Sequence, residues 1–124
     1  MKQRPSEHVE QCEVIQWCNK TAYRYGVFEL RLIFAIPNGG QRARTTGARL
    51  KAEGVKPGIP DLMLPVARSG YHGLFIEMKR VQGGGLSPEQ VAWRDNLKEQ
   101  GYSCIQCRGA PMAISVLKEY LNLE

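Results

Sequence analysis

The six-residue segment LFIEMK, residues 74–79, constrains the fold more than any other part of the sequence. In an extended strand the side chains alternate between two faces, so Leu74, Ile76 and Met78 share one face and Phe75 begins the other. Both faces therefore start with apolar residues. A strand of this kind is typical of a sheet that is covered on both sides, and we expect helices to pack on each face.

Local signals along the rest of the chain divide it into alternating elements. The predicted order is a helix that Ser6 opens and that stops near Gly26, a strand (28–36), a shorter helix ending at 54, and strands at 61–64 and 74–79. A helix that ends before Gly101, a strand (102–108) and a last helix with an amphipathic stripe over 113–121 follow. This order predicts an α/β fold in which a central mixed β-sheet is flanked by helices. With 124 residues, the chain has the length of a single domain, which we assign to residues 1–124.

The helix that follows residue 86 has the clearest boundaries. Ser87 is an N-cap residue, Pro88 suits the first helical position, and Gly101 follows the predicted end. Gln90 has two interpretations. It completes a capping box with Ser87, and it also lies on the inward face of the helix, from which its side chain could reach a functional site.

Composition and cysteine content favour an ordinary cytoplasmic protein. The chain is 43% hydrophobic and 23% charged, and it has neither an apolar run long enough for a bilayer nor an apolar signal-peptide core. The four cysteines are therefore expected to be reduced. Cys104 and Cys107 fall on a predicted strand, where residues three apart point to opposite faces, so buried structural thiols are favoured over a zinc or redox site.

Positive charge is concentrated in one segment, residues 41–56, which contains five basic residues and one acidic residue. The basic residues are Arg42, Arg44, Arg49, Lys51 and Lys56. This clustering indicates an anionic partner such as DNA, and a solvated basic face is the alternative. A membrane surface is disfavoured because the segment lacks interleaved large apolar residues.

Three charged residues fall in or beside the predicted sheet. Glu77 and Lys79 are two apart and share a strand face, and Pro60 directs Asp61 into the neighbouring strand. Burying such charges costs desolvation energy that apolar residues would avoid, so a function is expected to retain them. Two carboxylates and a backbone carbonyl are ligands that a hard divalent cation such as Mg²⁺ accepts.

Five motifs in order carry a resemblance to a known family. They are Ser6-Glu7 with Gln11, Pro37-Asn38-Gly39, Gly58-Ile59-Pro60-Asp61, Glu77-Met78-Lys79 and Leu86-Ser87-Pro88-Glu89-Gln90. Together they are similar to the compact VRR-NUC (virus-type replication-repair nuclease) branch of the PD-(D/E)xK nuclease superfamily. The resemblance implies a restriction-endonuclease-like core and metal-dependent hydrolysis of DNA with Mg²⁺ or Mn²⁺.

Residue roles also follow from the resemblance. It implies that Asp61, Glu77 and the Met78 carbonyl bind the metal, that Glu7 is a further ligand, and that Lys79 assists the attacking water. Glu7 has an alternative role at the positive end of the helix dipole. Glu10 stands where related chains often have an apolar residue, which leaves open which carboxylate of the first helix completes the site.

The resemblance further implies a homodimer that acts on branched DNA such as four-way junctions or flaps. Two alternatives compete with this hypothesis. One is a non-catalytic nucleic-acid-binding module that keeps the nuclease fold, which the presence of Asp61, Glu77 and Lys79 disfavours. The other is a sequence-specific restriction-type endonuclease, which is disfavoured because 124 residues leave little surface for base recognition.

Overall fold

The computed structural model describes residues 6–38 and 44–124, with side chains from residue 47 onward in the second range. A four-stranded sheet with the spatial order β1-β2-β3-β4 forms its centre. The strands are β1 (Phe34–Ala35), β2 (Leu62–Leu64), β3 (Leu74–Lys79) and β4 (Ser103–Arg108). β1–β2 and β2–β3 are antiparallel and β3–β4 is parallel, which confirms the predicted mixed sheet.

Helices flank this sheet, as the two apolar faces of β3 predict. They are α1 (Glu7–Tyr25), α3 (Pro88–Glu99) and α4 (Ala110–Tyr120), whereas α2 (Arg44–Ala52) belongs to the connection between β1 and β2. Val14 of α1 and Leu117 of α4 are buried in one apolar cluster with Ile76 and Met78 of β3. α3 packs on the other face, which carries Glu77. Among the described residues, no helix is long and apolar enough to span a membrane.

Capping residues set the ends of α1 and α3 where the sequence predicts them. The Ser6 hydroxyl accepts a hydrogen bond from the Val9 amide, and Gly26 ends α1 with a φ of 68° in the left-handed region that favours glycine. Ser87 and Gln90 form the predicted capping box of α3. These contacts satisfy backbone groups that a helix end would otherwise leave without partners.

The predicted strand over residues 28–36 is wrong for most of its length. The chain forms a 3₁₀ helix at Phe28–Leu32, and only Phe34–Ala35 is a strand. The inward residues are Val27, Leu30 and Ile33, which recur every third position. A 3₁₀ helix has three residues per turn and therefore aligns these side chains, whereas a strand would place every second residue inward.

The cysteines of β4 are buried free thiols, as the strand interpretation predicts. Cys107 lies in the apolar cluster beneath α1 and α4, whereas Cys104 is paired with Phe75 and faces the α3 side. Burial raises the pKa of the Cys107 thiol to about 12 and that of Cys104 to about 11. Both thiols are therefore protonated at neutral pH and behave as small apolar side chains.

Candidate active site

The pairing of β2 with β3 brings Asp61 to Glu77. Leu62 is paired with Ile76, so Asp61, which directly precedes β2, lies beside Glu77. One Asp61 carboxylate oxygen accepts a hydrogen bond from the Met78 amide at 2.7 Å, and the other accepts one from the Asn38 side-chain amide at 3.5 Å. The sheet register thus places side by side two carboxylates that are far apart in the sequence.

Glu77 is a buried residue whose two carboxyl oxygens have different surroundings. The residue is 6% exposed. Gln90 Nε2 donates a hydrogen bond to Oε1 of Glu77. Among the described residues, Oε2 of Glu77 has no hydrogen-bond partner. A buried acceptor without a donor is costly, so a proton or a cation is needed at this position.

The surroundings of Glu77 raise its pKa to about 9. Burial is the largest cause, and the nearby Asp61 carboxyl, whose negative charge disfavours ionisation of Glu77, is the next. The charge of Glu7 raises this pKa further, whereas the positive charge of Lys79 lowers it. Without a bound cation, Glu77 therefore retains its proton at neutral pH.

Gln90 performs both of the roles that its position allows. Its side-chain oxygen accepts a hydrogen bond from the Ser87 amide at 2.9 Å, which closes the capping box. Its side-chain nitrogen donates to Glu77. The N-terminus of α3 therefore fixes the orientation of the Glu77 carboxylate.

The two carboxylates of α1 point to different surroundings. Glu10 is buried, and its Oε2 accepts a hydrogen bond from the Ala110 amide at the start of α4, at 2.5 Å. This carboxylate stabilises the positive end of the α4 dipole. Glu7 is exposed and close enough to Glu77 for its charge to raise the pKa of that residue. Of the two, Glu7 is the carboxylate with an electrostatic link to the Asp61–Glu77 pair.

Lys79 ends β3 and is half-buried. It lies two residues after Glu77 and therefore on the same strand face. Its positive charge is near enough to Glu77 to lower the pKa of that carboxyl. The carbonyl of Lys79 accepts a hydrogen bond from the Gly109 amide at 3.1 Å, which fixes the end of the strand against β4.

Gly58 allows the segment before Asp61 to pass close to α3. Its φ is 82°, and a Cβ atom at this position would lie 2.6 Å from Cβ and 2.8 Å from the carbonyl carbon of Glu89. No side chain larger than hydrogen fits there without movement of the helix backbone. The glycine thus holds Pro60 and Asp61 against the first turn of α3.

Arg108 is a residue of this region that the sequence motifs do not reveal. Its guanidinium donates hydrogen bonds to the carbonyls of Arg80 at 3.0 Å, Gly83 at 2.7 Å and Gly84 at 2.6 Å. These contacts hold the glycine-rich loop that leads from Lys79 to Ser87. Arg108 reaches this loop because it is paired with Lys79 in the parallel β3–β4 ladder. The residues around Arg108 in the sequence do not predict that pairing.

The basic segment 41–56 lies only partly within the described residues. Arg42 and the side chain of Arg44 fall outside them. Arg49 forms an exposed ion pair with Glu53 at 3.4 Å, which contributes little stability, and Lys51 and Lys56 are exposed. Arg49, Lys51 and Lys56 are therefore accessible to an anionic partner.

The donor set around Glu77 fits a divalent cation. Across the part of the chain that the structure describes, no group of three or more His, Cys, Asp or Glu side chains could hold a metal ion. The donors at this point of the sheet are instead two carboxylates, those of Asp61 and Glu77, with the Met78 backbone beside them. The free oxygen of Glu77 supplies an acceptor that a cation would satisfy.

Comparisons with known proteins agree with this architecture. The family model described as the VRR-NUC domain matches residues 2–111. A solved structure titled "VRR_NUC domain protein" superposes with a TM-score of 0.80 and 28% sequence identity, covering 98% of this chain and 93% of that one. None of the curated proteins matches the chain significantly. Because the family model spans most of the sequence and the fold is shared, this chain belongs to the VRR-NUC family of nuclease domains.

Proposed function

We propose that residues 1–124 form one domain that cleaves DNA internally by hydrolysing phosphodiester bonds with Mg²⁺ or Mn²⁺, and that it prefers branched DNA. One observation carries this proposal. Among the described residues, the buried Oε2 of Glu77 has no hydrogen-bond partner, and the Asp61 carboxyl is close enough to raise the pKa of Glu77. A divalent cation would bind both carboxylates and remove their mutual repulsion.

The proposed metal ligands are Asp61, Glu77 and the Met78 carbonyl, with Glu7 as a further ligand that would have to move its exposed side chain towards the pair. Metal binding should release the proton that Glu77 retains at neutral pH, because ligating carboxylates must be ionised. The bound cation would lower the pKa of a water molecule and neutralise negative charge on the phosphate.

Lys79 and Gln90 have separate proposed roles. Lys79 is proposed to orient the attacking water and to stabilise the negative charge that develops on the phosphate. Gln90 is proposed to hold the Glu77 carboxylate in the orientation needed for ligation, since it donates to that group from a capped helix end. A fixed ligand lowers the entropic cost of assembling the site.

A substrate panel tests the proposed function. Purified protein is incubated with single-stranded, duplex, flap and four-way-junction DNA in Mg²⁺, Mn²⁺ or EDTA. The expected result is cleavage of the branched substrates in both metals and none in EDTA. Binding without cleavage under every condition would instead support the non-catalytic binding module.

The basic segment is proposed to contact DNA phosphates through Arg42, Arg44, Arg49, Lys51 and Lys56. Replacing Arg42, Arg44 and Arg49 together with alanine should weaken binding and reduce the slope of log affinity against log salt by about 0.9 for each lost contact on duplex DNA. The measurement is a salt series in EDTA, which prevents cleavage. Sequence preference should change little, because phosphate contacts carry no direct sequence information.

A matched variant controls for the loss of net charge. Lys20, Arg24 and Lys118 are exposed basic residues on α1 and α4, on the opposite side of the sheet from α3. Replacing these three with alanine removes the same formal charge and should leave the salt slope near the wild-type value. Equal slopes for both triple variants and the wild type would show that residues 41–56 form only a solvated basic face.

We further propose that the protein is a homodimer. A two-fold arrangement would present two identical sites to the two symmetric strands of a junction. Light scattering of the purified protein should therefore give about twice the mass of one chain. A monomer, both alone and with junction DNA in EDTA, would contradict the dimer and favour a single site acting on flaps or nicks.

A further inference from the structure

An open recess next to the candidate active site has a composition suited to a nucleotide. It has a volume of about 310 Å³ and is lined by Lys56, Pro57, Glu89, Ala92, Trp93 and Asn96. The recess lies between α3 and the segment that leads to Asp61. It is separate from the carboxylate pair, and the roles proposed above do not involve its aromatic residue.

Trp93 gives this recess a fixed aromatic surface. The indole Nε1 donates a hydrogen bond to the Pro57 carbonyl at 3.2 Å, and the side chain is only half-buried. The polar edge of the ring is therefore satisfied by the protein while part of the ring remains accessible. An aromatic ring held in this way can stack against a nucleobase of any sequence, since every base has a π-face.

The polar side chains around Trp93 match the other parts of a nucleotide. The Asn96 amide can both donate to and accept from a base edge, and the Glu89 carboxylate can accept from an exocyclic amino group or, in thymine, from the ring N3–H. Lys56 can pair with a phosphate. Because the carboxylate of Glu89 repels phosphate, we expect the base to face Glu89 and the phosphate to lie towards Lys56.

The recess is joined to the carboxylate pair by direct contacts. Gly58 packs against the Glu89 backbone. The next helical residue, Gln90, donates a hydrogen bond to Glu77. A base in the recess would therefore belong to a nucleotide close to the phosphate that is cleaved.

We propose that this recess binds one unpaired nucleobase of the substrate strand, stacked on Trp93. In a duplex both faces of a base are covered by its neighbours, so the recess selects DNA with a single-stranded element at the cleavage point. The inference rests on the proposed function and specifies its substrate class. On this proposal, the recess distinguishes flaps, gaps and open junctions from continuous duplex.

The two tryptophans of the chain allow a direct test. Trp17→Phe leaves Trp93 as the only indole, and Trp93→Phe leaves Trp17, which lies on α1 with Lys118 5.9 Å from its ring centroid. Each variant is titrated with a single-stranded oligodeoxythymidine in EDTA. We expect the fluorescence of Trp93 to be quenched on saturation and that of Trp17 to stay unchanged.

Affinity measurements separate stacking from packing. Trp93→Ala should weaken binding of the oligodeoxythymidine about tenfold or more, Trp93→Phe should weaken it less, and Trp17→Ala should not weaken it. Binding of blunt duplex should be the same in all variants. Unchanged Trp93 fluorescence at saturation, or equal losses for single strand and duplex, would overturn the proposal.

The test remains distinct from that of the nuclease activity. Binding is measured without metal, so a protein that fails to cleave any substrate can still show stacking on Trp93. Conversely, metal-dependent cleavage with no response of Trp93 would leave the proposed function standing and overturn only this inference.

Discussion

Asp61→Asn and Glu77→Gln are each expected to lower the rate of DNA cleavage at saturating Mg²⁺ by about a thousandfold or more. Each change removes a negative charge from the proposed metal site, and the bound cation is expected to contribute several kcal/mol to the reaction. The expected loss follows from the proximity of the two carboxyls, since neither residue alone would supply enough charge to hold a divalent cation in a partly buried site.

Three measurements define this result. Single-turnover cleavage gives the rate, calorimetric titration with Mn²⁺ gives metal affinity, and binding in EDTA shows that the DNA interface is intact. Thermal unfolding of Glu77→Gln should occur at the wild-type temperature or above it, because the change removes a carboxylate whose Oε2 has no hydrogen-bond partner among the described residues. Asp95→Asn, on the exposed side of α3, is the matched control. A wild-type rate in either site variant would contradict the assignment.

Lys79→Ala is expected to reduce the chemical step by about 10²- to 10⁴-fold while Mn²⁺ affinity stays within a few-fold of wild type. The reason is that Lys79 lies on the same strand face as Glu77 and is proposed to act on the water rather than on the metal. Single-turnover rates at saturating metal measure the effect. Lys98→Ala, in the last turn of α3, is the control for loss of a lysine charge.

A conservative variant separates two roles of Lys79. Lys79→Arg keeps the positive charge but cannot lose a proton at accessible pH. Substantial activity in this variant would indicate that charge stabilisation is the contribution of Lys79, whereas loss equal to that of alanine would indicate geometry or proton transfer. A wild-type rate for Lys79→Ala would remove the residue from the mechanism.

Local capping chemistry made parts of this fold predictable. The start of α3 is determined within one turn of the chain. The side chains of Ser87 and Gln90 form hydrogen bonds with backbone amides there, and the ring of Pro88 fixes a helical φ. The same holds for Ser6 and Gly26 at the ends of α1. Such interactions depend only on neighbouring residues, so a single sequence contains the information.

The sequence segment 28–36 shows why composition misleads. Its aromatic and branched residues are typical of a strand, yet Val27, Leu30 and Ile33 follow the three-residue spacing of a 3₁₀ helix. Phe28 and Leu32 remain exposed in the structure. The sequence also places apolar residues at the alternate positions Phe28, Leu30, Leu32 and Phe34, so only the structure shows which of the two spacings is buried.

The candidate site required information that no local pattern holds. Asp61 and Glu77 meet because Leu62 is paired with Ile76, and the long connection between β2 and β3 does not fix that register by itself. The partner of Glu10 is 100 residues away in the sequence. The motif resemblance named Asp61 and Glu77, which the sheet register places side by side, but it noted Glu10 only as a departure from the family pattern and gave no indication of Arg108.

The position of α4 changes what counts as the smallest folding unit of this chain. The family match ends at residue 111, one residue after α4 has begun. Ala113, Leu117 and Tyr120 are nevertheless buried in the core, and the Tyr120 hydroxyl donates to the Val66 carbonyl at 2.6 Å. A fragment trimmed to the matched residues would lack most of α4. The apolar side of α1 would then be exposed to water, and Glu10 would lose the α4 dipole with which it interacts. The last residue of the family match therefore lies inside the unit that folds cooperatively. A fragment designed to fold on its own must include residues 112–121.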